Sequence, residues 1–192
     1  RCINRLIEPT EGKIEFFGTR IEKANKKELR KIRSRIGMIF QHYNLVPRLS
    51  VLENVLHGRL GYMNSLAGVF NLYKEEDKKE AIEWLVRVGL EKEVFKRADE
   101  LSGGQKQRVG VCRALLQKPK LILADEPIAS LDPKSSSTVM NIIHKSCREM
   151  GISCLINLHQ VEVTKQYSTR IIGIKNGKSV LDDIPEALTD EM

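Results

Sequence analysis

The stretch from Leu101 to Asp132 reads LSGGQKQRVGVCRALLQKPKLILADEPIASLD, and it decides the fold. Its middle part, Leu121–Glu126, places four apolar residues before two acidic ones. This pattern is typical of a buried parallel strand that ends at a site, because ligands of open α/β sheets bind beyond the carboxyl ends of strands. Two adjacent carboxylates are costly there unless a cation or a proton uses them. We therefore expect Asp125 to bind Mg²⁺ and Glu126 to orient or deprotonate a water.

The first part of the stretch indicates an anion site. Ser102 is a favourable N-cap residue, and Gly103 and Gly104 let backbone N–H groups approach a ligand closely. The helix predicted from Gln105 to about Gln117 turns its positive end toward that ligand. Taken alone, Ser-Gly-Gly is an ordinary flexible turn, and Asp-Glu after a strand is a capped loop. The order and spacing of the two pieces favour the functional interpretation.

Five short motifs resemble those of ATP-binding cassette ATPases. Residues 101–105 resemble the signature sequence, residues 121–126 the Walker B strand and residues 130–132 the D-loop. Gln41 resembles the Q-loop glutamine, and His159 resembles the switch histidine. Gln41 directly follows the strand-like segment 36–40. The resemblance extends from about residue 1 to about residue 183. Segments 124–133 and 158–161 are most similar to phosphonate importers.

The resemblance implies ATP hydrolysis, with ATP and Mg²⁺ as cofactors. Glu126 and His159 would be the catalytic residues, with Glu126 acting on the attacking water and His159 contacting the γ-phosphate. Asp125 and Gln41 would hold the metal. The residues expected to contact nucleotide, partly that of a second copy in a head-to-tail homodimer, are Gln41, Ser102, Gly103, Gly104, Gln105, Asp125 and Asp132. Asp132 would line the seam between the two copies.

The fold class implied is α/β, a P-loop NTPase-type parallel sheet core with an inserted α-helical subdomain and a small antiparallel part. Residues 1–41 and 101–183 would form the core, 42–100 the helical subdomain, and 184–192 an acidic tail that is helical or frayed. No Walker A loop, Gly-x-x-x-x-Gly-Lys-[Ser/Thr], occurs in the chain. Because the first residue is not Met, we expect a longer protein with that loop just upstream, and no activity from this chain without it.

Local patterns predict the individual elements. The predicted helices cover residues 2–7, 26–34, 74–88, 105–117, 133–151 and 161–167, with a further helix that begins after the capping box of Ser50 and Glu53. The predicted strands are 13–17, 36–40 and a second buried parallel strand at 152–158. Residues 170–175 and 178–181 flank Asn176-Gly177, which is a strong signal for a type I′ hairpin.

Composition limits the classes of function. No apolar run approaches the ~20 residues that cross a bilayer, and the start is not that of a signal peptide. The four cysteines have no metal-ligand spacing and are interpreted as reduced thiols. The net charge is +7, and its densest patch spans residues 23–35. Since aromatic or groove-entering motifs are lacking, we interpret the patch as a solvated helix face and expect no nucleic-acid partner.

The partners follow from the resemblance. The helical subdomain would dock on transmembrane permease subunits, and a substrate-binding protein would act indirectly, which places the chain at the cytoplasmic face of the membrane. The apolar residues between 60 and 70 are interpreted as core, with a docking groove as the alternative. The implied function is import of phosphonate or a related oxyanion. The alternatives are an ATP-binding cassette ATPase of another importer, an exporter or a non-transport system, and a binding module with a decayed site.

Overall fold

The computed structural model describes residues 1–187, except for the side chain of Ser65. The strands in this part of the chain are β1 (Glu15–Phe16), β2 (Thr19–Arg20), β3 (Ile36–Ile39), β4 (Leu121–Asp125), β5 (Ser153–Asn157), β6 (Ile171–Lys175) and β7 (Lys178–Asp183). The α-helices are α1 (Lys26–Arg33), α2 (Val51–Leu56), α3 (Ser65–Val69), α4 (Glu75–Arg87), α5 (Gly103–Leu116), α6 (Pro133–Met150) and α7 (Val161–Tyr167). Short 3₁₀ turns cover Ile21–Lys23, His57–Tyr62, Ala98–Glu100 and Pro185–Ala187.

The centre of the fold is a parallel sheet in the order β3-β4-β5. The central strand β4 is buried from Ile122 to Ala124, as expected for an apolar strand covered on both faces. Ile39 pairs with Ala124, and Asp125 pairs with Asn157, so all three strands end at the same edge. The α/β fold with a parallel core is confirmed, and the antiparallel pairs β1-β2 and β6-β7 form the small antiparallel part.

Apolar side chains form two clusters on opposite faces of the sheet. The larger cluster joins β4 to helices α2, α4, α5 and α6, and Leu115 and Val139 are among its fully buried members. The smaller cluster packs Ile21 and Ile32 against Leu123 of β4. Alternation along β4 explains this arrangement, because successive side chains of a strand point to opposite faces.

Local capping signals in the sequence are confirmed. Asn25, Ser50 and Ser102 each cap a helix in a reciprocal capping box, and Asp132 caps α6 with Pro133 at its first position. The box satisfies two N–H groups that a helix start would leave without partners. These caps fix where α1, α2, α5 and α6 begin.

Residues with positive φ also mark the ends of two helices and the turn between two strands. Gly151 ends α6 in the left-handed region at φ 62°, and Gly89 follows α4 at φ 69°. Asn176 and Gly177 have φ 50° and 73°, which fits the type I′ turn expected between β6 and β7.

Three expectations about the fold were wrong in detail. Residues 2–7 form turns instead of a helix, because Arg5 adopts φ 53° and its side chain binds Glu8 and two backbone carbonyls. The strand predicted over 13–17 is only two residues long. β5 is not buried: it lies at the edge of the sheet, and Leu155 is 47% exposed.

The apolar segment between residues 60 and 72 does not belong to the core. Its exposed members are Leu60, Tyr62, Leu66, Val69, Phe70 and Leu72. Met63 alone of the expected group packs on the larger cluster. Within residues 1–187, no helix combines the length and hydrophobicity that a bilayer crossing needs. The tail predicted over 184–192 is described only to residue 187, where it forms a 3₁₀ turn, and the rest lies outside the described residues.

Candidate active site

The strand ends bring the expected acids and histidine to one edge of the sheet. Gln41 lies two residues beyond Ile39, and Glu126 lies two residues beyond Ala124, with which Ile39 pairs. His159 likewise follows the end of β5. Parallel pairing therefore aligns three side chains that are far apart in the sequence, as the rule for ligand sites in open α/β sheets predicts.

Glu126 and His159 are in direct contact. The imidazole Nε2 lies 2.7 Å from Glu126 Oε1. An ionised carboxylate only accepts hydrogen bonds, so with Glu126 in that form the imidazole donates from Nε2. The Glu126 side chain is 25% exposed and that of His159 is 71% exposed. The pair is thus open to a ligand from the side of the histidine.

The backbone at Glu126 is held in an unusual conformation. Its φ is 47°, in the left-handed region that residues with a side chain seldom adopt. The carbonyl of Glu126 accepts the N–H of Ala129 at 3.3 Å, which closes a turn directly after β4. Such strain persists only where the surroundings enforce it, and it concentrates at functional sites.

Asp125 is paired with Arg1. The guanidinium donates to Oδ2 of Asp125 from Nε at 3.1 Å and from Nη2 at 3.0 Å. The arginine shows that this carboxylate accepts a cation, and the side chain of Asp125 is 24% exposed. Its oxygens, with the amide oxygen of Gln41, are the hard donors that Mg²⁺ prefers.

The donor set fits magnesium better than a metal that needs a protein cage. Among residues 1–187, no three His, Cys, Asp or Glu side chains gather in a metal-binding group. Magnesium is commonly held by one or two protein oxygens together with substrate phosphates. Asp125 and Gln41 offer oxygen donors of the kind that such a magnesium site uses.

The start of α5 provides backbone donors. Ser102 Oγ accepts the N–H of Gln105 at 3.3 Å, and the Gln105 side chain accepts the N–H of Ser102 at 2.9 Å. Ser102 is exposed. Gly103 and Gly104 are the first two residues of the helix, where N–H groups have no intrahelical acceptor. These two amides and the positive end of the helix lie where the sequence predicts an anion site.

The glycines also make room for neighbours in the same chain. A Cβ on Gly103 would lie 2.9 Å from the hydroxyl of Tyr43, and a Cβ on Gly104 would lie 2.7 Å from Ser135 Oγ. Ser135 belongs to the first turn of α6, next to Asp132. The signature helix therefore begins in close contact with the residues after the D-loop.

Asp132 has a structural contact of its own. Its side chain accepts the N–H of Ser135 at 3.0 Å and caps α6. Hydrogen bonding to Ser135 lowers the pKa of this carboxyl from the ordinary 3.8. Within residues 1–187, no side-chain hydrogen bond or ion pair joins Asp132 or the signature residues to Glu126 and His159. The structure thus brings the predicted residues together in two groups.

Sequence reasoning missed residues that position these groups. Arg1, at the start of the chain, donates a hydrogen bond to Asp125. Arg113 of α5 donates hydrogen bonds to two backbone carbonyls in the loop after Gln41, those of Tyr43 and Asn44. No sequence signal pointed to Arg1. Arg113 lies on the helix after the signature, but its acceptors lie about 70 residues earlier in the chain.

Two arginines of the basic patch donate hydrogen bonds to backbone carbonyls of other segments. Arg33 donates to the backbone carbonyls of Asn4 and Arg5 at 2.9 and 2.6 Å, and Arg30 donates to that of Met63 at 2.7 Å. These contacts tie α1 to the turn before it and to the segment after α2. They support a structural role for the two arginines.

Comparisons with known proteins agree with this geometry. The family model described as "ABC transporter" matches residues 1–129. A phosphonates import ATP-binding protein of Oceanobacillus iheyensis is 57% identical over 182 residues, which are 95% of this chain and 72% of that protein. One from Treponema denticola is 57% identical over 192 residues, which are 100% of this chain and 75% of that protein.

Solved structures are similar in fold as well. A dimeric ATP-binding cassette in a post-hydrolysis state with ADP and Pi has a TM-score of 0.80 at 33% identity, covering 97% of this chain and 79% of that one. A component of an ABC transporter complex from Clostridium perfringens has a TM-score of 0.79 at 30% identity, covering 96% and 70%. Since the family model matches the larger part of the sequence and the relatives align along nearly all of it, this chain belongs to the ABC transporter family.

Proposed function

We propose that this protein is the ATP-hydrolysing subunit of an importer for phosphonate or a related oxyanion. The observation that carries the ATPase assignment is the contact of Glu126 with His159 at the edge of the sheet where Asp125 also lies. The substrate class rests on the relatives, which are named as phosphonates import ATP-binding proteins. The reaction is ATP + H₂O to ADP + phosphate.

Glu126 is the residue that acts on water in this proposal. Its carboxylate orients the attacking water or takes its proton, a role that needs an ionised acceptor within hydrogen-bond reach. His159 shares a hydrogen bond with that carboxylate, so a change at the γ-phosphate that moves the histidine also alters the carboxylate. The strained backbone of Glu126 fixes where the carboxylate lies.

Magnesium would be held by Asp125 and Gln41. When bound, it would neutralise charge on the phosphates, which is its general part in phosphoryl transfer. Asp125 must exchange Arg1 for this ion. Because their pair is partly exposed, its loss costs on the order of 1 kcal/mol or less. Exchange of the arginine for a divalent cation is therefore energetically accessible.

The N–H groups at the start of α5 would bind the phosphates of a nucleotide held by a second copy. Three features support this: an exposed Ser102, two N–H groups free of intrahelical acceptors, and a dimeric cassette among the similar structures. In such a head-to-tail homodimer, Asp132 would lie at the seam between the subunits.

The exposed apolar segment 60–72 would dock on the transmembrane permease. Its side chains Tyr62, Leu66, Val69 and Phe70 are exposed, and large exposed apolar patches commonly mark interaction sites. The relatives are named as import ATP-binding proteins, which supports a membrane permease as the partner. This contact would place the protein at the cytoplasmic face of the membrane as a peripheral subunit, acting with a substrate-binding protein.

The test is Glu126→Gln in the complete protein assembled with its permease. We expect steady-state ATP hydrolysis to fall by about 100-fold or more while ATP binding persists, because the amide keeps the shape but cannot accept the proton. Glu149→Gln is the control, since Glu149 lies on α6 in a loose ion pair with Arg87 at 3.6 Å. Retained hydrolysis by Glu126→Gln would show that Glu126 lacks this role.

Substrate identity needs its own measurement. Reconstituted transporter with its binding protein should take up a radiolabelled phosphonate in an ATP-dependent way. If only another substrate is taken up, the ATPase assignment stands and the substrate assignment is wrong. Hydrolysis without any permease stimulation would favour the non-transport alternative.

A further inference from the structure

Positive charge is concentrated in one short segment of the chain. Residues 23–35 contain seven basic side chains and one acidic one, Glu28, so they hold +6 of the chain's net charge of +7. Glu28 is engaged in the capping box of α1, where it accepts the N–H of Asn25 at 2.8 Å. All seven basic residues of the segment are exposed: Lys23, Lys26, Lys27, Arg30, Lys31, Arg33 and Arg35.

This charge does not stabilise α1 itself. Lys26 and Lys27 are its first two residues, where the positive end of the helix disfavours cations. Lys26 and Arg30 are four residues apart, as are Lys27 and Lys31, and like charges at that spacing repel each other. These four residues form one side of the helix, which we call the basic face.

The lysines of the basic face have no acidic neighbour to balance them. Within residues 1–187, none of the three makes an ion pair or a side-chain hydrogen bond. A helix face that is only solvated usually mixes charges of both signs, whereas a block of like charges is typical of a surface that meets a charged partner. The basic face therefore calls for an anionic ligand.

A cleft of about 630 Å³ opens beside the basic face, between α1 and the turn that follows α2. Lys26, Arg30 and Arg33 line it. Among the described residues of its lining, the one carboxylate is that of Glu8, which is paired with Arg5 at 2.8 Å. The cations of α1 thus meet no unpaired negative charge there, and the volume is that of a site for a small ligand group.

The basic face adjoins the exposed apolar segment 60–72. Arg30 donates from Nη2 to the carbonyl of Met63 at 2.7 Å, and the Tyr62 hydroxyl donates to the carbonyl of Ser34 at 2.7 Å. A Cβ on Gly61 would lie 2.9 Å from Ser34 Cβ, so the two segments are in direct contact. Docking of segment 60–72 on the permease would therefore bring the basic face next to the bilayer.

We propose that the basic face and its cleft bind the phosphate-bearing headgroups of anionic membrane lipids. Lysine and arginine clusters on a helix are attracted to such a surface within about a Debye length of it. A lipid surface fits better than a soluble phosphate, because the cations lie along one side of a helix and continue into an exposed apolar segment. This ligand goes beyond the ATPase function, and only the orientation toward the bilayer rests on the proposed docking.

The experiment measures binding of the complete ATPase subunit to lipid vesicles by co-sedimentation. We expect vesicles that contain phosphatidylglycerol to bind it, and vesicles of phosphatidylcholine alone to bind it weakly. Binding should be lost as the ionic strength rises from about 0.05 M to about 0.5 M, because salt screens exposed charges. Equal binding to both kinds of vesicle would overturn the proposal.

A triple variant tests the basic face. Lys26→Gln, Lys27→Gln and Lys31→Gln together should weaken binding to phosphatidylglycerol vesicles by about 100-fold, since each lysine near an anionic surface contributes a factor of about five. Thermal stability should not fall, because these side chains are exposed and the changes remove repulsion within α1.

The matched control removes the same charge elsewhere. Lys92→Gln, Lys175→Gln and Lys178→Gln change exposed lysines, two of which lie in β6 and β7. Because they lie outside the basic face, binding should weaken by under about threefold, as expected for net charge acting at a distance. An equal loss in both triple variants would show that net charge alone causes the attraction, and the proposal would fail.

Single variants test whether a headgroup enters the cleft. Lys26 lines the cleft, and its neighbour Lys27 does not. Lys26→Gln should weaken binding about three times as much as Lys27→Gln, because only Lys26 can form a charge-assisted hydrogen bond to a phosphate held there. Equal losses from the two changes would overturn the cleft as the headgroup site.

Other anions are outcomes of the same assay. Displacement from the vesicles by inorganic phosphate, but not by chloride at equal ionic strength, would mean that the cleft binds a soluble anion and would overturn the lipid assignment. Retention on duplex DNA without a preference for phosphatidylglycerol would overturn it as well. The Glu126→Gln result stays separate, since retained hydrolysis there rejects the ATPase assignment, whereas a failure to bind these vesicles rejects only the lipid site.

Discussion

The two halves of the candidate site are held in different ways. At the strand ends, Asp125 and Glu126 are satisfied by side chains, Arg1 and His159, and both of these partners are largely exposed. At the start of α5, the Ser102 capping box and close packing against Tyr43 and Ser135 fix the backbone. One group is held by exchangeable side-chain contacts and the other by fixed geometry.

This difference assigns different tasks to the two groups. Exposed ion pairs contribute at most about 1 kcal/mol, so a ligand can replace them at low cost. Backbone donors that are already oriented need no rearrangement to bind an anion. We infer that binding reorganises the charges at the strand ends while the signature acts as a rigid surface.

The largest effect is expected at Asp125. Asp125→Asn in the complete protein should lower kcat by about 100-fold or more, because it removes the only carboxylate proposed for the metal. Thermal stability should stay nearly the same, since the pair with Arg1 is partly exposed. Measured kcat and Tm separate these outcomes. A large fall in Tm with little change in kcat would mean that the pair is structural.

An intermediate effect is expected at Gly103. Gly103→Ala brings a Cβ to 2.9 Å from the Tyr43 hydroxyl, so we expect lower stability and about tenfold lower kcat. Adding Tyr43→Phe removes the clashing oxygen and should restore Tm but not turnover, because the methyl group still obstructs the phosphates.

Gly110→Ala is the control on the same helix. Its Cβ would meet only the Tyr43 carbonyl, at an ordinary 3.6 Å, and helix propensity favours alanine by about 1 kcal/mol. This variant should be as stable as the parent or more stable. Full recovery of turnover in the Gly103→Ala, Tyr43→Phe double variant would show that the glycine serves packing alone.

The smallest effect concerns pH. Hydrogen bonding to Ser135 lowers the pKa of Asp132, so the ionised cap stabilises the fold at pH values above the ordinary 3.8. That stabilisation is lost as pH falls through the lowered pKa. Asp132→Asn keeps a capping oxygen without the charge, and its Tm should decline less between pH 5 and pH 3, on the order of a few degrees. An identical pH profile would exclude this contribution.

Sequence patterns predicted features whose cause is local or periodic. The helix starts followed from Ser102 and Asp132, because a cap and its N–H partner lie within one turn. The convergence of Gln41, Glu126 and His159 followed from parallel strands, which end at one edge whatever the loops do. Both rules operate without knowledge of distant contacts.

What escaped prediction depends on distant contacts or on the surroundings of a segment. The positive φ of Tyr43 and Glu126 cannot be deduced from residue type, because residues of these types seldom adopt the left-handed region. Arg1 reaches Asp125 across 124 residues. The apolar residues between 60 and 70 were interpreted as core because apolar residues favour burial on average, but nothing in their own sequence says whether a neighbour covers them.

The outer edge of β5 influences how the protein behaves in solution. Within the described residues β5 pairs on one side only, with β4, so no strand among them pairs with the N–H and C=O groups of its other side. A strand edge of this kind is a template for pairing with another chain. Preparations of this chain should therefore form intermolecular sheet as their concentration rises, which light scattering and infrared amide bands would register.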